Sequence, residues 1–206
     1  MRKKTIGFIW LSCCVLLLLS GCGQATLPTP SSLTTQPRKQ PVHAIVTPRP
    51  TPTPKPVIAT PIHIRIPAIS VDANVEPVSI LSNSDLDTPH QDPWDSTGWY
   101  KDGPAPGQMG SAVIDGHVDR PGGGPAVFWN LRNLNAGDQV IVTTSDNHQL
   151  IFHVTARVAY PVHEAPLQNI FGDNSGRYLN LITCDGYWIP SEQQTSARMV
   201  VFTRLG

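Results

Sequence analysis

Ten of the chain's 21 prolines fall between Gly23 and Pro61, and one part of that stretch alternates almost without a break, as Thr47-Pro48-Arg49-Pro50-Thr51-Pro52-Thr53-Pro54-Lys55-Pro56. Proline lacks a backbone N–H and locks φ near −65°, so such a segment neither propagates a helix nor completes a sheet ladder. It favours extended polyproline II, at about 3.1 Å per residue, and works as a spacer on the order of 100 Å long. The alternative, a docking motif for proline-binding domains, fits poorly with the export signal described next. Any packed core in this 206-residue chain is therefore confined to residues 61–206, with 23–60 as a Pro/Thr-rich basic linker. That leaves room for one domain.

The segment before the linker reads as an address. Arg2, Lys3 and Lys4 precede an uncharged run from Ile6 to Leu19, and Leu19-Ser20-Gly21-Cys22 follows. This is the charged, apolar and small-residue order of a secretory signal. The run is shorter than the roughly 20 residues that a membrane-spanning helix needs. The string Leu19-Ser20-Gly21-Cys22 resembles a bacterial lipobox, in which the Cys becomes the lipidated first residue of the mature chain. Residues 1–22 are thus expected to be a lipoprotein-type signal with Cys22 as lipid anchor, an uncleaved signal anchor being the alternative. Either form places the domain outside the cytoplasm, tethered to the outer face of the cell membrane.

Charge is split along the chain. No Asp or Glu precedes Asp72, whereas eight of the 15 Lys and Arg residues lie before it; the seven basic and 15 acidic residues from Asp72 onward leave that part at −8. An acidic domain without clustered Lys and Arg is a poor partner for nucleic acid, which is excluded. Cysteine usage narrows the chemistry further. Cys13 and Cys14 lie in the apolar run of the signal and Cys22 is the lipid site, so Cys184 is the one thiol left to the domain. A disulfide framework is impossible, and a lone exported thiol is either a nucleophile or a buried structural residue.

Within the domain, Ile62-His63-Ile64-Arg65-Ile66 alternates with period two and predicts a strand. Further strands are predicted over residues 74–77, 111–116, 139–144, 149–159, 178–183 and 199–203, separated by turn clusters such as Asp102-Gly103-Pro104. Helical periodicity is confined to short stretches near 126–134 and 166–171. The pattern predicts a mainly β fold, a barrel or sandwich.

Three strings carry residues capable of chemistry at the edge of an apolar run: Ala112-Val113-Ile114-Asp115-Gly116-His117, Leu181-Ile182-Thr183-Cys184 and Arg198-Met199-Val200-Val201-Phe202. Cysteine catalysis needs a thiolate, an acid or base within hydrogen-bond reach, and a group to hold an oxyanion. Cys184, His117 and Arg198 supply these in turn. Singly, His117 and Arg198 read as ordinary surface residues; the combination points to an enzyme.

With these strings in view, the chain resembles the bacterial sortases. Their cysteine motif, Thr-Leu-x-Thr-Cys, shares Leu181, Thr183 and Cys184 with this sequence; their histidine follows a strand and a Gly, as in Asp115-Gly116-His117; their arginine begins the last strand about a dozen residues after the cysteine. Arg65-Ile66-Pro67-Ala68-Ile69-Ser70-Val71-Asp72-Ala73, Pro104-Ala105-Pro106-Gly107, Gly116-His117-Val118-Asp119 and Pro125-Ala126-Val127-Phe128-Trp129-Asn130-Leu131 are similar to the class F or class E branch. The resemblance implies a closed eight-stranded sortase-type β-barrel with a few short helices. It also implies a cysteine transpeptidase that cleaves a C-terminal sorting signal of the Leu-Pro-x-Thr-Gly type in exported proteins. Cys184 would form a thioester acyl-enzyme, and an amine of peptidoglycan or of a pilin-like protein would accept the acyl group. His117 would serve the leaving and incoming amines, and Arg198 the substrate backbone and oxyanion. Asp119 is a candidate for orienting His117, and Thr183 for reaching the intermediate with its hydroxyl.

Two features depart from the pattern. Asp185-Gly186-Tyr187-Trp188-Ile189-Pro190 is more aromatic than the family's stretch after the cysteine, and a lipobox replaces the usual uncleaved helix. No cofactor is expected. His148, His153 and His163 show no ligand spacing with Cys or carboxylate, and the loop 160–176, where some sortases bind calcium, offers only Glu164 and Asp173. An L,D-transpeptidase would carry His two residues before Cys, where Ile182 stands, and a papain-like peptidase would place Cys before His. The remaining alternative is a non-enzymatic exported β-barrel lipoprotein that binds wall polymer or a protein partner, with Cys184 merely buried.

Overall fold

The computed structural model describes residues 59–206. The signal, the Cys22 anchor and nearly all of the linker lie outside the described residues.

Eight strands follow in chain order: β1 (Pro61–Ile66), β2 (Val71–Val78), β3 (Thr97–Tyr100), β4 (Gly110–Asp115), β5 (Gln139–Thr144), β6 (Gln149–Pro161), β7 (Arg177–Ile189) and β8 (Gln194–Leu205). They close into a barrel in the order β1-β2-β3-β4-β7-β8-β6-β5, with β5 returning to β1. Closure leaves no unpaired sheet edge. Two contacts are parallel, β2 with β3 and β4 with β7, and the rest are antiparallel. One short helix, α1 (Leu167–Phe171), lies between β6 and β7. Among the described residues no helix is long and apolar enough to cross a membrane.

The predicted mainly β, closed eight-stranded architecture is what the chain forms, with local differences. β3 has only four residues, one of them Gly98, and shows no periodic pattern in the sequence. β2 runs over eight residues where four were predicted, and the helical pattern near 126–134 yields only a 3-10 turn at Leu131–Asn133. β1 departs from simple alternation. Ile64 and Ile66 are fully buried, but the pairing with β5 shifts register between Pro61 and His63, and Ile62 turns outward, 42% exposed. A bulge of this kind reverses the facing of the residues before it.

The barrel interior holds Ile64, Ile66, Ile114, Phe128, Leu131, Phe152, Leu179, Leu181 and Val201 among others. A second, smaller cluster covers the outside of one wall. There Val113 of β4 and Val200 of β8 meet Ile170 of α1, with Leu86, Tyr100, Phe171, Ile182 and Phe202 around them. β4 is consequently buried on both faces along its whole length.

Candidate active site

Cys184 and Arg198 lie on the neighbouring strands β7 and β8, and His117 lies two residues beyond the end of β4, which pairs with β7 on its other side. β4 and β7 run parallel with Asp115 opposite Ile182. The ladder continues past β4, where the Gly116 N–H donates to the Ile182 carbonyl at 3.2 Å. Two residues on from that pair, His117 is carried alongside Cys184. On the other side β7 and β8 are antiparallel, with Cys184 directly opposite Arg198. All three line one cavity of about 390 Å³. Neither Cys184 nor Arg198 stands at a strand end as the apolar runs suggested. β7 continues to Ile189 and β8 begins at Gln194, so polar residues extend both strands beyond their apolar parts.

Gly116 explains how His117 leaves β4. A Cβ at Gly116 would lie 2.8 Å from Phe128 and from Val127, so only glycine lets the chain pass these side chains. The backbone beyond is pinned, as the Phe128 N–H donates to the His117 carbonyl at 2.9 Å and the Val127 N–H to the Trp94 carbonyl at 2.8 Å. The Trp94 indole then lies against the imidazole, with ring centroids 4.7 Å apart. Arg120, three residues after His117, is ion-paired with Asp95 beside Trp94. Half-burial of the His117 ring pushes its pKa below the ordinary histidine value, with the nearby Asp119 charge acting in the opposite sense. Asp119 itself is exposed, and among the described residues no hydrogen bond joins it to His117.

Arg198 is held before any substrate arrives. Its Nη1 donates to the Thr195 hydroxyl at 2.9 Å and to the Thr195 and Ala197 carbonyls, and its Nη2 donates to Gln194 Oε1 at 3.0 Å. Cys184 is a free, partly buried thiol. Thr183 points the other way. Its hydroxyl is buried and donates to the Gly116 carbonyl at 2.7 Å, so it ties the cysteine strand to the turn that carries His117, while the residue still borders the cavity. Alternation along β7 sends the side chains of residues 183 and 184 to opposite faces.

After Cys184 the strand bulges. Its pairing with β8 shifts between Asp185 and Trp188, Gly186 adopts φ +81°, and the aromatic pair emerges into solvent, Tyr187 73% and Trp188 58% exposed. Trp188 borders the cavity. Adjoining it is a larger, mainly apolar cavity of about 770 Å³, bordered by Tyr100, Ile170, Phe171 and Val200 and sharing Asp85, Leu86, Ile182, Gln194 and Arg198 with the first.

Sequence reasoning passed over Trp94, Gln194 and Thr195, which carry no local signal, and Asp115, which does. An acid that ends the run Ala112-Val113-Ile114 on a strand buried on both faces has to be buried too. Among the described residues no three His, Cys, Asp or Glu side chains are grouped to hold a metal ion. Asp173 of the 160–176 loop spends its carboxylate on the Ser175 N–H and hydroxyl, which lower its pKa.

Residues 64–206 match the family described as sortase domain. Solved structures share the fold. Sortase A from Corynebacterium diphtheriae is 21% identical, with 72% of this chain and 62% of that one covered and a TM-score of 0.54. The complex of Streptococcus agalactiae sortase C1 and MTSET is 17% identical, with 71% and 69% covered and a TM-score of 0.55. Sortase C-1 from Streptococcus pneumoniae is 21% identical, with 70% and 66% covered and a TM-score of 0.54. The chain spans about three fifths of the length of the Corynebacterium structure. Comparison with curated proteins yields no match.

Proposed function

The chain belongs to the sortase family, and from that premise we propose that it is a cysteine transpeptidase that cleaves sorting signals of the Leu-Pro-x-Thr-Gly type and transfers the acyl fragment to an amine. The observation that carries the reading is the register of three adjacent strands, which sets His117, Cys184 and Arg198 side by side at one cavity. Cys184 passes its thiol proton to His117 as its sulfur bonds to the carbonyl before the scissile bond, and His117 hands that proton to the amine that leaves as the C–N bond breaks. The thioester is then opened by an incoming amine, which gives a proton to His117 as its nitrogen bonds to the carbonyl and the electron pair returns to sulfur. The depressed pKa of His117 favours the neutral imidazole, the form that accepts this proton.

Arg198 faces the developing oxyanion and the substrate backbone. Its charge persists at any working pH, and its Nη groups are preset by Gln194 and Thr195, so little reorganisation accompanies the reaction. The adjoining apolar cavity accommodates the Leu-Pro part of the signal. The motifs around Arg65, Pro104, His117 and Pro125 favour the class F or class E branch. The N-terminal signal favours an extracytoplasmic location, with tethering through Cys22 or an uncleaved anchor, substrates among exported surface proteins, and an acceptor in peptidoglycan or a pilin-like protein.

The test is cleavage of a Leu-Pro-x-x-Gly peptide library in the presence of several amines. Wild type is expected to cleave at least one member and Cys184→Ala none. A library untouched by wild type, or cleaved equally by the variant, overturns the proposal.

A further inference from the structure

Asp115 is not used by the steps above, yet it borders the same cavity as His117, Cys184 and Arg198. It ends β4, is 8% exposed, and its Oδ1 is the one buried side-chain polar atom without a hydrogen-bond partner among the described residues. Leaving such a group unpaired costs about 1–3 kcal/mol. The neighbouring strand makes room for it. Gly98 lies opposite Asp115 across β3 and β4, and a Cβ at Gly98 would collide with Oδ1.

The charges around the cavity are unbalanced. Asp85, Asp115 and Glu192 border it, against Arg198 as the one permanent cation, and Arg198 is already bonded to Gln194, Thr195 and Ala197. Burial first, and the charge of Asp87 after it, hold the Asp115 carboxyl well above the usual carboxylate range. An opposite charge within about 4–6 Å is what returns such a group to its ionised form. Among the described residues that border the cavity no second permanent cation is present to pair with Asp115, and the acyl transfer proposed above has a cationic substrate, since an aliphatic amine rests as its ammonium ion.

We propose that Asp115 recognises the amine acceptor, pairing with the ammonium group of a primary aliphatic amine beside the Cys184 thioester. This rests on the acyl-transfer reading for the identity of the cation. The pairing itself needs no acyl group, so it is read in the free protein. In the full chain labelled with carboxyl-13C aspartate, the Asp115 resonance, identified by its loss in Asp115→Asn, moves toward the carboxylate position when glycinamide is added at neutral pH. Methoxyamine, uncharged under those conditions, leaves it in place. A resonance unmoved by glycinamide, or moved equally by both amines, overturns the proposal. In turnover, Asp115→Asn raises KM for glycinamide about tenfold relative to KM for methoxyamine, a difference of roughly 1.4 kcal/mol. An equal rise for both amines assigns Asp115 a structural role and overturns it as well. If wild type forms no thioester on Cys184, the acyl-transfer reading fails, and the carboxyl resonance still decides whether the cation site exists.

Discussion

β1 and β4 are strands of equal length on the same barrel, and they differ in what lies outside them. β1 buries Ile64 and Ile66 inward and leaves Ile62 and Arg65 to solvent. β4 buries every residue, because α1 and the segments around Leu86 and Tyr100 cover its outer face with the Val113, Ile170 and Val200 cluster. Both strands contribute to the barrel core, but of the two only β4 has a desolvated outer face. The histidine follows β4, and the cysteine and the arginine lie on β7 and β8, next in the barrel order. Electrostatic interactions act more strongly where water is excluded, so the added layer over β4, β7 and β8 turns one side of a plain barrel into a place where chemistry is possible.

The largest effect expected from this contrast is on activity. Arg198→Ala on the covered wall should lower kcat/KM for a cleaved sorting peptide about 10²–10³-fold, the usual loss for a group that stabilises an oxyanion. Arg65→Ala on the bare wall should leave it within about twofold, since exposed substitutions away from a site seldom register. Equal losses would dissolve the distinction. Next in size are the two cores. Ile64→Ala in the barrel and Ile170→Ala in the outer cluster should each destabilise by about 2–5 kcal/mol in urea unfolding, and only Ile170→Ala should also raise the peptide KM. Ile62→Ala, at the outward bulge, should fall within about 0.5 kcal/mol of wild type.

Thr183→Val tests the tie between the cysteine strand and the histidine turn. Removing the hydroxyl leaves the Gly116 carbonyl unpaired, and a loss of about 1–3 kcal/mol is expected. The smallest effect is in pH. The folded pKa of His117 is below the ordinary value, so between that pKa and about 6.5 the unfolded chain binds more protons and stability falls as pH falls. In melts from neutral to mildly acid pH, wild type should lose more than His117→Gln as it passes below about 6.5. A parallel decline would show that the ring is not desolvated in solution.

Much of this was legible in the residues themselves. The alternation in β1 and the apolar runs announced a mainly β fold, and the edges of three of those runs named His117, Cys184 and Arg198, which border one cavity. These are properties of composition and order along the chain, which local sterics and hydrophobic patterning convert directly into structure. β3 and the register shift in β1 were not legible, because a four-residue strand and a bulge are decided by pairing with distant partners and leave no period behind. The facing of Thr183 away from Cys184, the contact of Trp94 with His117, the clamp on Arg198 and the unpaired Asp115 carboxyl depend on which strands become neighbours. The parallel register of β4 on β7 and the antiparallel register of β7 on β8 join segments some 67 and 14 residues apart at their facing pairs. A pairing of that range is settled only when the barrel closes and the whole set of buried side chains has found one face.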